Sequence, residues 1–169
     1  TNILIGTAYN DVLLGSETTD GTDSSDILKG GAGNDILDGR TGRDTIYGGI
    51  GNDTFLGNIE DSMNDEGGND TYKLTLDLVS TINQTVSVND SEGSGQLYIN
   101  NALISGKAVV ALRNNVGNPT AWSLDGFYLT TYGVDSMKIS KTIGGTANNP
   151  VPTGTSVLVG SLSPDKPWL

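Results

Sequence analysis

The chain has 169 residues, of which 35% are hydrophobic and 6% aromatic, and it carries a formal net charge of −11. Cysteine and histidine are both absent, which excludes disulfides, thiol chemistry and imidazole-assisted nucleophilic catalysis within it, so the chain reads as non-enzymatic. The charge is confined to one half: residues 1–72 hold fourteen acidic side chains against Lys29, Arg40 and Arg43, whereas residues 73–169 hold six of each sign, and nucleic acid is a poor partner for such a surface.

Residues 1–72 also contain fourteen glycines. A segment with so many acids and so little apolar material cannot collapse around a core alone; it stays disordered or takes up cations. It opens on TNILIG without a methionine, which reads as part of a longer chain. No stretch has signal-peptide anatomy or the length of a membrane-spanning helix.

In chain order, Asn2 and Leu4 stand in phase ahead of GTAYNDVLL (6–14), which brings Asp11 and Leu13. Six residues that read as an insertion, with Glu17 and Asp20, precede GTDSSDILK (21–29), with Asp26 and Leu28. Three contiguous units then run from 30 to 56, where Asp35, Asp44 and Asp53 fall nine residues apart, as do Leu37, Ile46 and Phe55. A second apparent insertion, of eight residues, precedes DEGGNDTYK (65–73), with Asp70 and Tyr72.

Nine residues divide into a six-residue turn and a three-residue strand, so two units close one coil. The glycines bring backbone carbonyls close together, and each aspartate ends a turn with its carboxylate aimed back into it. Carboxylates and carbonyls are hard oxygen ligands that suit Ca²⁺ better than the smaller, water-retaining Mg²⁺. Leu13, Leu28, Leu37, Ile46, Phe55 and Tyr72 are the expected interior. The alternative is a metal-free solenoid whose glycines and aspartates only make turns. In that case rows of carboxylates would repel one another with little to offset them.

These units resemble the repeats-in-toxin (RTX) family, whose nonapeptide GGxGxDxUx winds as a calcium-binding parallel β-roll. The resemblance implies a ligand scheme in which carbonyls and the aspartate of one unit face those of the unit two further on. Gly30, Ala32 and Asp35 would then share an ion with Gly49, Gly51 and Asp53. On the opposite edge, Gly21, Asp23 and Asp26 would share one with Arg40, Gly42 and Asp44. Asp11 with Asp35, and Asp44 with Asp70, are further pairs that cross an insertion. Arg40 and Arg43 stand where the family has small residues, and their charge would weaken the second site. The resemblance also implies a bacterial protein exported by a type I secretion machinery, which folds on Ca²⁺ outside the cell. Its parent would be a toxin, an enzyme or an adhesin.

Beyond Tyr72 the pattern changes. YKLTLDL (72–78), TVSVNDSEGSGQLYIN (85–100), KAVVALR (107–113), AWSLDGFYLTTY (121–132) and SMKISKTI (136–143) read as antiparallel strands. The expected fold is therefore all-β. A parallel β-roll spans residues 1–73, and an antiparallel, sandwich-like cap spans 74–143 and buries Trp122, Phe127 and Tyr128. A Pro/Gly/Ser-rich linker or docked tail follows over 144–169, since the open end of a solenoid needs covering. The tail supplies no clear C-terminal secretion signal, so the parent is expected to continue.

Asp90 and Glu92 fit either a further calcium site or a polar turn. The missing EF-hand spacing favours the turn. Trp122, Phe127 and Tyr128 could stack on a sugar but suit core packing better, and Asp125 and Asp135 read as turn residues rather than a carboxylate pair. The competing function is adhesion, with the β-rich half binding a carbohydrate or protein.

Overall fold

An apolar residue that recurs every nine positions between polar neighbours can bury one side chain per short strand, and the chain must wind to bury them all. The computed structural model describes residues 1–18, 24–58, 60–75, 84–90, 95–103, 110–113, 119–124, 127–131, 137–146 and 149–160, and it winds in this way. Ten strands alternate between two sheets. The first sheet holds β1 (Ile3–Ile5), β3 (Ile27–Ala32), β5 (Thr45–Ile50), β7 (Ser62–Asp65) and β9 (Gln84–Asp90). The second holds β2 (Val12–Leu14), β4 (Ile36–Asp38), β6 (Thr54–Gly57), β8 (Asp70–Leu74) and β10 (Gly95–Ile99). All neighbours among these ten pair in parallel, so the described residues up to Ile99 form a parallel β-roll.

Register converts the repeat into columns. Leu4, Leu28, Ile46, Met63 and Val88 stack along the first sheet, and Leu13, Leu37, Phe55, Tyr72 and Leu97 along the second. From Leu28 and Leu37 onward these side chains are essentially removed from water. Leu4 and Leu13, in the first coil, are only half-buried, because no coil covers them. The Phe55 and Tyr72 rings lie stacked, with centroids 4.7 Å apart. Residues flanking each buried position, such as Ile5, Val12 and Ile36, point to solvent.

Within the roll, two expectations change. Residues 57–64 are not an insertion but a half-coil one residue short. Its Asp61 accepts from Asp44 seventeen residues earlier, whereas Asp44 accepts from Asp26 eighteen earlier. Glu60 adopts a φ of 75° to absorb the deletion. The strands expected around Asp90 to Gly95 exist, yet they do not pair with each other: β9 lies parallel to β7 and β10 parallel to β8. The roll therefore runs past residue 73.

After β10, Asn100 and Asn101 turn the chain with φ of 49° and 67°, and β11 (Ala102–Leu103) pairs back on β10. Antiparallel strands follow as expected: β12 (Val110–Arg113), β13 (Pro119–Leu124), β14 (Phe127–Thr131) and β15 (Met137–Thr146). They extend the first sheet instead of building a second layer, so no sandwich is formed among the described strands. In the region read as linker or tail, β16 (Asn149–Gly160) lies between β15 and β9 and joins the meander to the roll. The predicted burial of Trp122, Phe127 and Tyr128, and the readings of Glu92, Asp125 and Asp135, lie outside the described residues or side chains.

Turn stacking leaves no room at Gly51. Its φ is 134°, and an added Cβ would collide with the Gly33 carbonyl of the coil before. Gly51→Ala should cost about 1–3 kcal/mol from backbone strain alone, read by urea unfolding in excess Ca²⁺. Ile36→Thr, on the exposed flank, should stay within about 0.5 kcal/mol of the parent. Equal stability of the two variants would mean that the turns do not stack as described.

Candidate metal centre

The turns lie on two edges of the roll. The first edge holds residues 6–11, 30–35, 48–53 and 65–70, between a first-sheet strand and the following second-sheet strand. The second edge holds the returns, including 39–44 and 57–61. Along each edge, the backbone N–H of one coil's last turn residue donates to the Oδ1 of the aspartate one coil on. On the first edge this runs Asp11 to Asp35 (2.8 Å), Asp35 to Asp53 (2.7 Å) and Asp53 to Asp70 (2.8 Å). On the second it runs Asn2 to Asp26 (2.6 Å), Asp26 to Asp44 (2.7 Å) and Asp44 to Asp61 (2.9 Å). An asparagine ladder supports the first edge: the Oδ1 of Asn10, Asn34 and Asn52 accept the N–H of Asn34, Asn52 and Asn69.

The second carboxylate oxygen divides the aspartates. In Asp11, Asp26 and Asp61, Oδ2 accepts the N–H of Thr7, Ser16 and Asn58 within the same turn. In Asp35, Asp53 and Asp70 on the first edge, and in Asp44 on the second, Oδ2 is buried without a hydrogen-bond partner. A buried carboxylate oxygen without a donor carries a large desolvation cost. Glycine lets these turns close onto their own aspartates: a Cβ at Gly30, Gly48 or Gly39 would strike the Oδ2 of Asp35, Asp53 or Asp44.

Titration cuts across this division, because burial and the capping amides compete. Burial opposes ionisation of Asp26, yet the amides of Asn2 and Ser16 hold its carboxyl below the usual range. Burial pushes Asp53 up, and it pushes Asp61 up to about 7 against the amides of Asn58 and Asp44. Asp65 and Asp70 are raised first by burial; Asp70's charge adds to the rise at Asp65, and the charges of Asp90 and Asp53 to that at Asp70.

The sequence-predicted residues are placed as follows. Gly30, Ala32, Asp35, Gly49, Gly51 and Asp53 share the first edge in adjacent coils, with Asp11 before and Asp70 after them. Asp26, Arg40, Gly42 and Asp44 share the second edge. Gly21 and Asp23 lie outside the described residues, and Gly15 and Ser16 open that turn instead. Gly15 donates to the Asp38 carbonyl at 2.8 Å, and Ser16 caps Asp26 at 2.7 Å. The extra residues therefore follow Gly15 rather than precede Gly21. The nine-residue step from Gly6 to Gly15 was the available signal.

Asp44 and Asp70 are not brought together, because the short half-coil supplies Asp61 as the stacking partner of Asp44. The Arg40 carbonyl accepts the side-chain amide of Asn58, and the Thr41 carbonyl accepts the Ser24 hydroxyl. Arg43 reaches Glu60 at 3.0 Å and Arg40 approaches Glu17 at 3.8 Å, so both cations have acidic neighbours of their own. The second edge thus has protein donors at Asp26 and Asp61 and a bare oxygen at Asp44, and the first presents a longer line of bare oxygens at Asp35, Asp53 and Asp70.

An edge of stacked glycine turns with buried, donor-free carboxylate oxygens defines a cation-binding β-roll. The RTX calcium-binding nonapeptide repeat matches residues 1–20 and 20–55, in four copies, and this part of the chain carries such repeats. RTX repeats bind Ca²⁺, and the hard-oxygen donors on the first edge fit that ion. No curated protein and no solved structure matches the chain.

The pKa shifts fix a sign for pH. A folded-state carboxyl raised to about 7, as at Asp61, holds its proton more tightly than in the unfolded chain. Its contribution is fully present below the ordinary carboxylate range and is lost as pH rises through about 7. In a chelator, far-UV circular dichroism should therefore show more β-structure at pH 5 than at pH 8. Saturating Ca²⁺, which needs the ionised form, should remove or reverse that trend. A chelated chain that gains structure with rising pH would contradict the burial of these carboxyls.

Proposed function

We propose that this chain is a calcium-dependent folding module of a larger secreted protein. It stays unfolded where Ca²⁺ is scarce and winds into the β-roll where Ca²⁺ is plentiful, outside the cell. The observation that carries this is the line of donor-free oxygens on Asp35, Asp53 and Asp70, in turns that glycine alone lets close. Bound Ca²⁺ supplies positive charge between successive carboxylates, which neither an amide nor a water supplies. The chain's own part is to present the oxygens: the Asp-to-Asp amide bonds fix each carboxylate against its neighbour, and the asparagine ladder keeps the turns in register.

Export by a type I pathway suits a module whose ions are withheld until it reaches the outside. The antiparallel strands from Val110 onward would then close the open end of the roll. Catalysis is assigned to other parts of the parent protein, because this chain has neither histidine nor cysteine.

Circular dichroism of a chelated sample at pH 7.5 (roughly physiological) should convert from disordered to β as Ca²⁺ is added, because metal binding and folding are then one event. Asp35→Ala and Asp53→Ala should each raise the calcium midpoint by roughly tenfold or more, since even an outer-shell loss costs a metal site that much. A spectrum that ignores Ca²⁺ would end the folding-switch reading. Unchanged midpoints in both variants would overturn the ligand assignment alone.

A further inference from the structure

Inside the first edge, the opening residue of each turn forms its own column. Gly6, Gly30 and Gly48 occupy it in successive coils, and the register continues it through Asp65 and Asp90. Asp65 therefore stands where the repeat has glycine, and Gly48 makes room for it: a Cβ there would strike Asp65 Oδ1 as well as Asp53 Oδ2. Asp53, Asp65 and Asp70 are all buried, Asp65 being 6% exposed and the other two no more than 1%. Carboxylate oxygens of the three lie within 4.8 Å of one another.

The donors nearby are used up or insufficient. Oδ1 of Asp53 takes the Asp35 amide, Oδ1 of Asp70 takes the Asp53 amide, and Oδ1 of Asp65 takes a long bond from the Gly49 amide at 3.3 Å. Oδ2 of each has no hydrogen-bond partner. The ion pairs found among the described residues involve Arg40 and Arg43, on the other edge. Asp90 adds further negative charge behind the group, its Oδ2 accepting the Tyr72 hydroxyl at 3.3 Å. Three carboxylates cannot remain buried and ionised in contact unless a positive charge enters.

We propose that Asp53, Asp65 and Asp70 form a three-carboxylate divalent-cation site inside the roll, which takes Ca²⁺ more tightly than the two-carboxylate turns before it. The proposal rests on the calcium reading for Asp53 and Asp70. What it adds is Asp65, a side-chain ligand at a position where the repeat supplies only backbone. Affinity of oxygen-ligand Ca²⁺ sites rises with the number of charged ligands, so the third carboxylate sets this site above the others.

The test uses the full 169-residue chain, with Ca²⁺ as the probe. Bound ions are counted by equilibrium dialysis with elemental analysis, and affinities are read by chelator-competed calorimetry. Asp65→Asn keeps the shape, and Asp65→Gly installs the residue that the preceding coils carry, so at least one variant should fold. Both should lose the tightest binding class, a weakening of at least roughly tenfold, while retaining the β spectrum in excess Ca²⁺. Asp35→Asn should lose binding elsewhere and keep the tightest class. If both Asp65 variants bind as many ions as tightly as the parent, while Asp35→Asn is impaired, the inference is wrong and the calcium reading stands. If the parent binds no Ca²⁺, both fall together.

Discussion

The structure depends on one hydrogen bond repeated down each edge: a backbone amide of one coil held by the Oδ1 of the next coil's aspartate. It fixes coil on coil at the strand spacing of about 4.8 Å, and so it fixes the carboxylates in a row at the same spacing. Two ionised carboxylates at that distance repel by roughly 3 kcal/mol at an effective dielectric near 20. The bond that sets the register thus also creates the electrostatic strain. Glycines, short strands and a single interior side chain per half-coil are what a chain must have for such bonds to form at every turn. The buried residues Leu28, Leu37, Ile46, Phe55, Met63 and Tyr72 make a thin column rather than a broad core. Hydrophobic burial alone is a weak counterweight to rows of like charge.

The two edges answer this strain differently. On the second edge, the backbone N–H groups of Ser16 and Asn58 donate to the second oxygen of Asp26 and Asp61, whereas that of Asp44 stays bare. The side chains of Asn58 and Ser24 occupy turn carbonyls that glycine at those places would leave open. On the first edge, glycines at 30, 31, 33, 48, 49 and 51 offer no side-chain donor, and the oxygens of Asp35 and Asp53 stay bare. More bare oxygens therefore lie on the first edge, at Asp35, Asp53 and Asp70, than on the second, at Asp44. The second edge has been partly converted into ordinary protein.

Much of this was legible in the chain. The nine-residue phase of Asp35, Asp44 and Asp53 with Leu37, Ile46 and Phe55 specified parallel strands, inward residues and turn edges, because each unit alone satisfies the geometry of one half-coil. What escaped was out of phase. Residues 57–64 keep Gly57, Asp61 and Met63 but drop one residue, which a strict period reads as an insertion. Gly15 opens its turn, and the sequence hid that start behind a second glycine at 21. Asp65 carried no signal of its own, since only the register shows that it shares a column with Gly30 and Gly48. Between the strands of 84–90 and 95–99 the sequence lacks the GGxGxD spacing of the repeat, so alternation alone could not tell coil from hairpin.

How the roll changes towards β10 follows from these columns. On the second edge the aspartate column of Asp26, Asp44 and Asp61 passes to Val86, and the glycine column of Gly39 and Gly57 passes to Leu74 and Ile99, all buried. Apolar side chains there fill the space the turns used to enclose, so that edge closes by packing. On the first edge the aspartate column passes from Asp70 to Gly95 while the glycine column passes to Asp65 and Asp90. Acid and glycine exchange places, and the carboxylates move from the turn to the strand. Negative charge is kept on that edge after the repeat itself has ended, at the point where β16 and the antiparallel strands join the first sheet. An edge meant only to end would follow its neighbour and become apolar. This one keeps its acids buried, and the burial is tolerable only with positive charge between them.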